Sequence, residues 1–278
     1  MNEQKTDARY PMGRSQEETE RLIHQERVYG GITRRFFMEA GIASGMQVLD
    51  VGSGAGDVAL TVAELVGPNG NVVGVDVNEN ILETARIRAR EAGWTNVEFM
   101  AGDDRTLDAA GDFDAVVGRL TLMYMSDPAD ALKRFTRYLR PGGLVAFEEA
   151  DLTPYRALVR PDTPLMNTLI GWALDVFERS GAHVGMGLDL SRAFVDAGLP
   201  VPVLHLEAPV GGSETWVGYR YLAEIFRSLL PLLEEYGMAT GDEVDLETLE
   251  ERLRREAVAA KRPVVLPPHV TAWTRLAP

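Results

Sequence analysis

The sequence contains no cysteine. Disulfides, thiolate metal sites and cysteine nucleophiles are therefore excluded. Lysine is nearly absent too: Lys5, Lys133 and Lys261 are the only ones, and arginine supplies the remaining basic charge. Histidine occurs four times, as His24, His183, His205 and His269, with no metal-ligand spacing among them. Nothing in the sequence motivates a bound metal. Positive charge is short overall, and the net charge is -14. That sign is unsuited to nucleic-acid phosphates or an anionic membrane surface. No apolar run is long enough to span a bilayer. Met1 to Arg9 is polar and lacks the apolar core of a signal peptide. A soluble, cytoplasmic protein is expected. No internal repeat or low-complexity segment is present, and 278 residues suffice for one large α/β core with a cap.

What is present centres on residues 47–60. Val48 to Val51 is a short branched apolar run of strand type, and Gly52, Gly54 and Gly56 follow at alternate positions before a helix-like run from Asp57 to Val66. Glycine lets the chain turn tightly and lets a ligand approach the backbone. The helix start then offers free N–H groups to negative ligand atoms. A dinucleotide fingerprint needs its third glycine where Asp57 stands, and that carboxylate would repel a pyrophosphate.

The rest of the chain alternates strands and helices. A helix is expected from a capping box at Ser15 and Glu18 to about Tyr29, interrupted by Gly30-Gly31, with a second helix over 33–40. Tyr10, His24 and Gln25 would then lie near a ligand mouth. Asn71 to Val75 is the second strand and ends in Asp76, placed to accept hydrogen bonds from a ribose diol. Asn78 caps a helix that Gly93 ends. Val97 to Ala101 is the third strand, followed by Gly102-Asp103-Asp104. A fourth strand over 112–118 leads to Arg119 and Leu120. Asp127-Pro128 starts a helix, Arg140-Pro141-Gly142-Gly143 ends it, and the fifth strand runs over 144–147. Helices are expected near 163–180, 189–198, 214–236 and 245–260, a sixth strand over 201–206, and a last strand over 269–275.

The order of glycine loop, acidic strand end, GD turn, FD-containing strand and RPGG before a strand resembles class I S-adenosylmethionine (SAM) methyltransferases of the ubiquinone/menaquinone-biosynthesis type, over about residues 45–150. The resemblance implies an α/β fold, a Rossmann-like, doubly wound seven-stranded sheet with a helical cap. It divides the chain into an N-terminal helical cap segment (1–41), a SAM-binding core (42–155), and a remainder (156–278) holding strands six and seven with cap insertions near 160–182 and 213–262. It implies SAM as cofactor and S-adenosyl-L-homocysteine (SAH) as product. The cofactor contacts expected are Gln25, Asp50, Gly52, Ser53, Gly54, Gly56, Asp76, Val77, Asp103, Asp104, Arg119 and Leu120. One of Asp103 and Asp104 would meet the adenine amino group, and Arg119 the methionine carboxylate.

Methyl transfer asks a protein to align donor and acceptor, exclude water and, for a hydroxyl or carbon acid, remove a proton. The base candidates are His183, Glu149 and His24, with Glu148 and Asp151 in the same acidic cluster after strand five. His205 and His269 read as structural. Trp172, Phe177, Trp216, Tyr219, Tyr221 and Phe226 suggest a small or medium-sized, partly apolar acceptor. A SAM-binding protein acting as a cyclase or non-methylating module is the alternative, and a nicotinamide oxidoreductase the third reading. The acceptor, the atom methylated and the oligomeric state, a homodimer included, stay open.

Overall fold

The computed structural model describes residues 9–12, 16–102, 113–157 and 160–278. Five parallel strands come first: β1 (Gln47–Val51), β2 (Asn71–Asp76), β3 (Val97–Ala101), β4 (Phe113–Arg119) and β5 (Leu139–Ala150). With β6 (Val203–Glu207) and β9 (His269–Arg275) they form a seven-stranded sheet in the order β3-β2-β1-β4-β5-β9-β6. β9 runs antiparallel to both its neighbours, Ala150 facing His269 across β5 and β9. Two further short strands, β7 (Val210–Gly211) and β8 (Val264–Val265), pair apart from this sheet.

The strands alternate between two cores, as a two-residue period requires. Leu49, Val116, Val145 and Phe147 point to one face and pack on α4 (Pro128–Phe135) and α6 (Met186–Asp196). Val48, Ala115, Leu144 and Ala146 point to the other, against α2 (Asp57–Val66), α3 (Glu79–Glu91) and the second half of α1 (Gln16–Ala40). A third apolar cluster joins the middle of α1, through Tyr29 and Ile32, to α5 (Pro164–Arg179), α7 (Gly218–Glu235), the short α8 (Gly241–Val244) and α9 (Leu249–Ala260). It roofs the C-terminal ends of the central strands.

Three local expectations need correction. α1 is one helix of 25 residues, unbroken at Gly30-Gly31. A Cβ on Gly30 would collide with the Glu26 side chain as it is placed, so this glycine leaves room for a side chain one turn back. Arg140-Pro141-Gly142-Gly143 lies inside β5, because α4 already ends at Phe135 and a 3-10 turn at 136–138 follows. Arg119 is the last residue of β4 and pairs with Glu148, rather than lying beyond the strand. Ser15 of the expected capping box, and Asp103 and Asp104, lie outside the described residues. No helix among the described residues is long and apolar enough to cross a membrane.

Candidate active site

A cavity of about 770 Å³ opens where the strand order reverses, between β1 and β4. Such switch points are the usual ligand crevice of open α/β sheets. One end is lined by Gly52, Ser53, Gly54, Asp76, Val77 and Arg119. The other end runs under the roof, along Met166, Ile170, Leu174, Phe177, Leu222 and Phe226.

The glycine loop has the shape its sequence requires. Gly52, Gly54 and Gly56 have φ of 71°, 51° and 88°, the left-handed region. A Cβ on Gly52 would meet Thr121 Oγ1 at 2.5 Å. Asp76 steadies the loop: one carboxylate oxygen accepts from Gly54 N–H (3.0 Å), the other from Asn78 N–H (2.8 Å). Each oxygen keeps a lone pair for a ligand hydroxyl. Leu120 also lies on the cavity wall, with φ of 55° and its N–H bonded to the Glu148 carbonyl (2.9 Å). A non-glycine residue in that conformation stores strain, which clusters at ligand sites.

Ser53 Oγ, on the cavity wall at the same end, is buried without a hydrogen-bond partner among the described residues, and so are both Asp50 carboxylate oxygens, although Asp50 and Gly56 of the expected contacts do not line the cavity. Burial pushes the Asp50 carboxyl well up, with Arg119 pulling the other way. An amino group with several donors is the partner such acceptors lack, so this end fits the amino-acid tail of SAM. Gln25 lines the cavity, but its side-chain oxygen accepts from Arg21 (2.8 Å), which Glu18 holds through two more bonds. Arg119 faces three acidic groups. It donates to Glu26 (3.1 Å), lies 3.6 Å from Asp57, and its pKa is raised because Glu26, Glu148 and Asp57 outweigh burial. A cofactor carboxylate would share this guanidinium with them.

The proposed bases lie elsewhere. His24 pairs with Glu224 at 2.5 Å, and His183 is about half exposed, 3.1 Å from Asp189. Glu149 is buried, accepting from the backbone N–H groups of Thr121, Leu122 and Met123 at 2.9, 2.7 and 3.3 Å. None of the three lines the cavity. His269, read as structural from sequence, does line it. Its Nδ1 lies 2.6 Å from Glu148 Oε1, and its ring stacks on Tyr29 at 3.9 Å. Sequence reasoning missed the pair because its members are 121 residues apart and meet only through the β5–β9 pairing. The available signal was Glu148, an acidic residue inside an apolar strand end.

Residues 42–181 match the family described as "Methyltransferase domain". The chain belongs to the SAM-dependent methyltransferase family. This methyltransferase-family chain is 38% identical over 106 residues to the demethylmenaquinone methyltransferase of Lactococcus lactis subsp. lactis, covering 38% of the chain and 42% of that protein. It is 38% identical over 120 residues to the ubiquinone/menaquinone biosynthesis C-methyltransferase UbiE of Pseudomonas fluorescens, covering 41% and 47%. The alignment thus spans less than half the length of these relatives. Among solved structures, a SAM-dependent methyltransferase from Aquifex aeolicus superposes with a TM-score of 0.53 at 20% identity, covering 70% of this chain and 92% of that one. That likeness concerns the fold.

Proposed function

We propose that this methyltransferase-family protein transfers the methyl group of SAM to a small or medium-sized, partly apolar acceptor, in quinone-type or secondary-metabolite biosynthesis. The observation that carries the reading is one continuous cavity, with a glycine loop and a ribose-type aspartate at one end and an apolar chamber at the other. SAM supplies an activated methyl group when bound. The proposed contacts are Gln25, Asp50, Gly52, Ser53, Gly54, Gly56, Asp76, Val77, Arg119 and Leu120. Asp76 would take the ribose and Asp50 would face the amino-acid tail. The roof excludes water from the transfer and orients the acceptor against the donor. The names of the Lactococcus and Pseudomonas relatives support a quinone-type acceptor. The net charge of -14 supports a small molecule rather than a nucleic acid.

The test is a thermal-shift titration with SAM, SAH and NAD in parallel. A ligand specific to the folded state adds about 2.7 kcal/mol at a hundredfold excess over its Kd, and so raises the midpoint by several degrees. A rise with SAM and SAH alone is expected. A rise with NAD alone overturns the reading. Labelled-methyl turnover on a panel of phenols and quinols then separates methyl transfer from a non-methylating role.

A further inference from the structure

We infer that His269, held by Glu148, is the general base of the methyl transfer, and that the acceptor is therefore a phenol or enol whose proton must leave as it is methylated. This rests on the methyl-transfer reading above and goes beyond it in naming the base and the acceptor's chemistry.

The hydrogen-bond directions lead to the assignment. Arg119 has donors only. Its Nη1 donates to Thr33 Oγ1 at 3.0 Å, so Thr33 turns its single hydrogen elsewhere, to Glu148 Oε2 at 2.7 Å. Glu148 accepts there. Against burial, the hydrogen bond and positive charge of a protonated His269, then the charge of Arg119 and the Thr33 hydrogen bond, hold its carboxyl below the usual range. Independently of that, Thr33 donates to Oε2 and Arg119 lies beyond it, so Glu148 is an acceptor here. An ionised Glu148 has no proton to give, so the 2.6 Å contact to His269 Nδ1 is an Nδ1–H donating to Oε1. In the neutral ring the lone pair then lies on Nε2. That nitrogen makes no hydrogen bond among the described residues and is not one of the sealed-off orphan atoms, and the residue lines the cavity, so Nε2 is assigned to the cavity side.

The ring is held in place on its other side too. It lies within 9° of parallel to Tyr29, whose hydroxyl donates to the Pro267 carbonyl at 3.0 Å. A satisfied core histidine would have partners at both nitrogens. This one has an orienting carboxylate at one nitrogen and open cavity at the other, the arrangement a general base needs.

The electron count closes. The acceptor oxygen forms a bond to the methyl carbon as its proton passes to Nε2. The carbon–sulfur bond breaks with its pair on sulfur, leaving a neutral thioether. The imidazolium is offset by Glu148, which acts as the positioning residue. Other ionisable and charged groups around the pair are Arg119 on β4, the adjacent Glu149 on β5, Glu26 and Tyr29 on α1, Tyr155, and Tyr221 on α7, which meets Tyr29 edge-on.

The test uses 4-nitrophenol, whose ionised form is yellow, added to SAH-saturated protein at roughly one pH unit below the probe's own pKa. Wild type is expected to take up the probe with about tenfold more phenolate than free solution, His269→Gln to show the free-solution ratio, and Glu148→Gln an intermediate one. Calorimetry with SAH reports on folding and on the cofactor reading separately: equal SAH affinity in wild type and His269→Gln is required before the colours are compared. A protein that fails to bind SAH overturns the function proposed above. SAH binding with no uptake of nitrophenol, or with equal phenolate in wild type and His269→Gln, overturns this inference alone. Nitrogen NMR of wild type, assigned by replacing His24, His183 and His205, is a second measurement that needs no variant at position 269. The Nδ1–H form of His269 is expected, and an Nε2–H form overturns the proposal. In Glu148→Gln that tautomer preference should weaken, which a purely packing role for Glu148 would not predict.

Discussion

Two carboxyl groups on consecutive positions, Glu148 and Glu149, are both fully buried and their pKa values are shifted in opposite directions. Glu148 faces His269, Thr33 and Arg119 and titrates low. For Glu149, burial outweighs three backbone N–H bonds and the pKa is pushed up to about 7. An acid that holds its proton more tightly folded than unfolded loses stability as pH rises between its two pKa values. The window runs from the ordinary glutamate value of about 4.3 up to about 7, and the loss is about 4 kcal/mol. Above that the contribution is flat. Glu149→Gln removes the titration. In urea unfolding, wild-type stability minus that of the variant should therefore fall by about 2–3 kcal/mol from pH 5 to pH 8. A difference that does not change with pH would place the titration elsewhere. Asp76→Asn tests the other end of the cavity. It removes a charged acceptor that also steadies Gly54 and Asn78, and hydrogen bonds to a charged group contribute about 1.5–3 kcal/mol. Calorimetry should find SAH bound roughly tenfold to a hundredfold more weakly; unchanged affinity would remove Asp76 from the proposed contacts.

At the scale of elements, the strand–glycine–helix unit from β1 to α2 depends on conformations that only glycine adopts at low cost. Gly52→Ala adds strain at φ of 71° and a contact with Thr121 Oγ1. A loss of about 1–3 kcal/mol in stability is expected, with SAH affinity falling at least as far as in Asp76→Asn. Wild-type SAH binding in Gly52→Ala would mean that the loop does not hold the cofactor. Gly171 in α5 is the contrasting case. It is exposed and helical, and a methyl group added there would have nothing within 4 Å. Gly171→Ala should stabilise the protein by about 0.5–1 kcal/mol, read as a higher unfolding midpoint in urea.

At the scale of the whole molecule, a roof of α5, α7, α9 and the middle of α1 closes a chamber over a sheet that already carries a cofactor end. The two ends should be separable. Ala173 lines the chamber on α5, and the cofactor-end residues named above come from other elements. Ala173→Trp should occupy the chamber, so acceptor methylation and nitrophenol uptake disappear while SAH affinity stays within about a factor of three. Equal loss of SAH and acceptor would show the cavity to be one indivisible site.

What could be read from the chain alone was local in the chain. The run Val48 to Val66, the acidic end of β2, and the caps at Asn78 and Asp127 depend on neighbours a few residues away, and they named the fold and the cofactor. Gly30-Gly31 misled for the same reason. The bare Gly30 leaves space beside the Glu26 side chain, which pairs with Arg119 93 residues away, and no local pattern carries that pairing. The placement of Glu149 beneath the turn at 122–124, and the surface position of His183, likewise follow from packing. So does the pairing of His269 with Glu148, made when β9 returns antiparallel beside β5. Caps and glycine turns are decided within a turn or two, so sequence determined them, whereas the continuity of α1 through Gly30-Gly31 and the length of β5 were set by packing. Which buried charges face one another is decided by elements that meet only after folding, so that was left to tertiary structure.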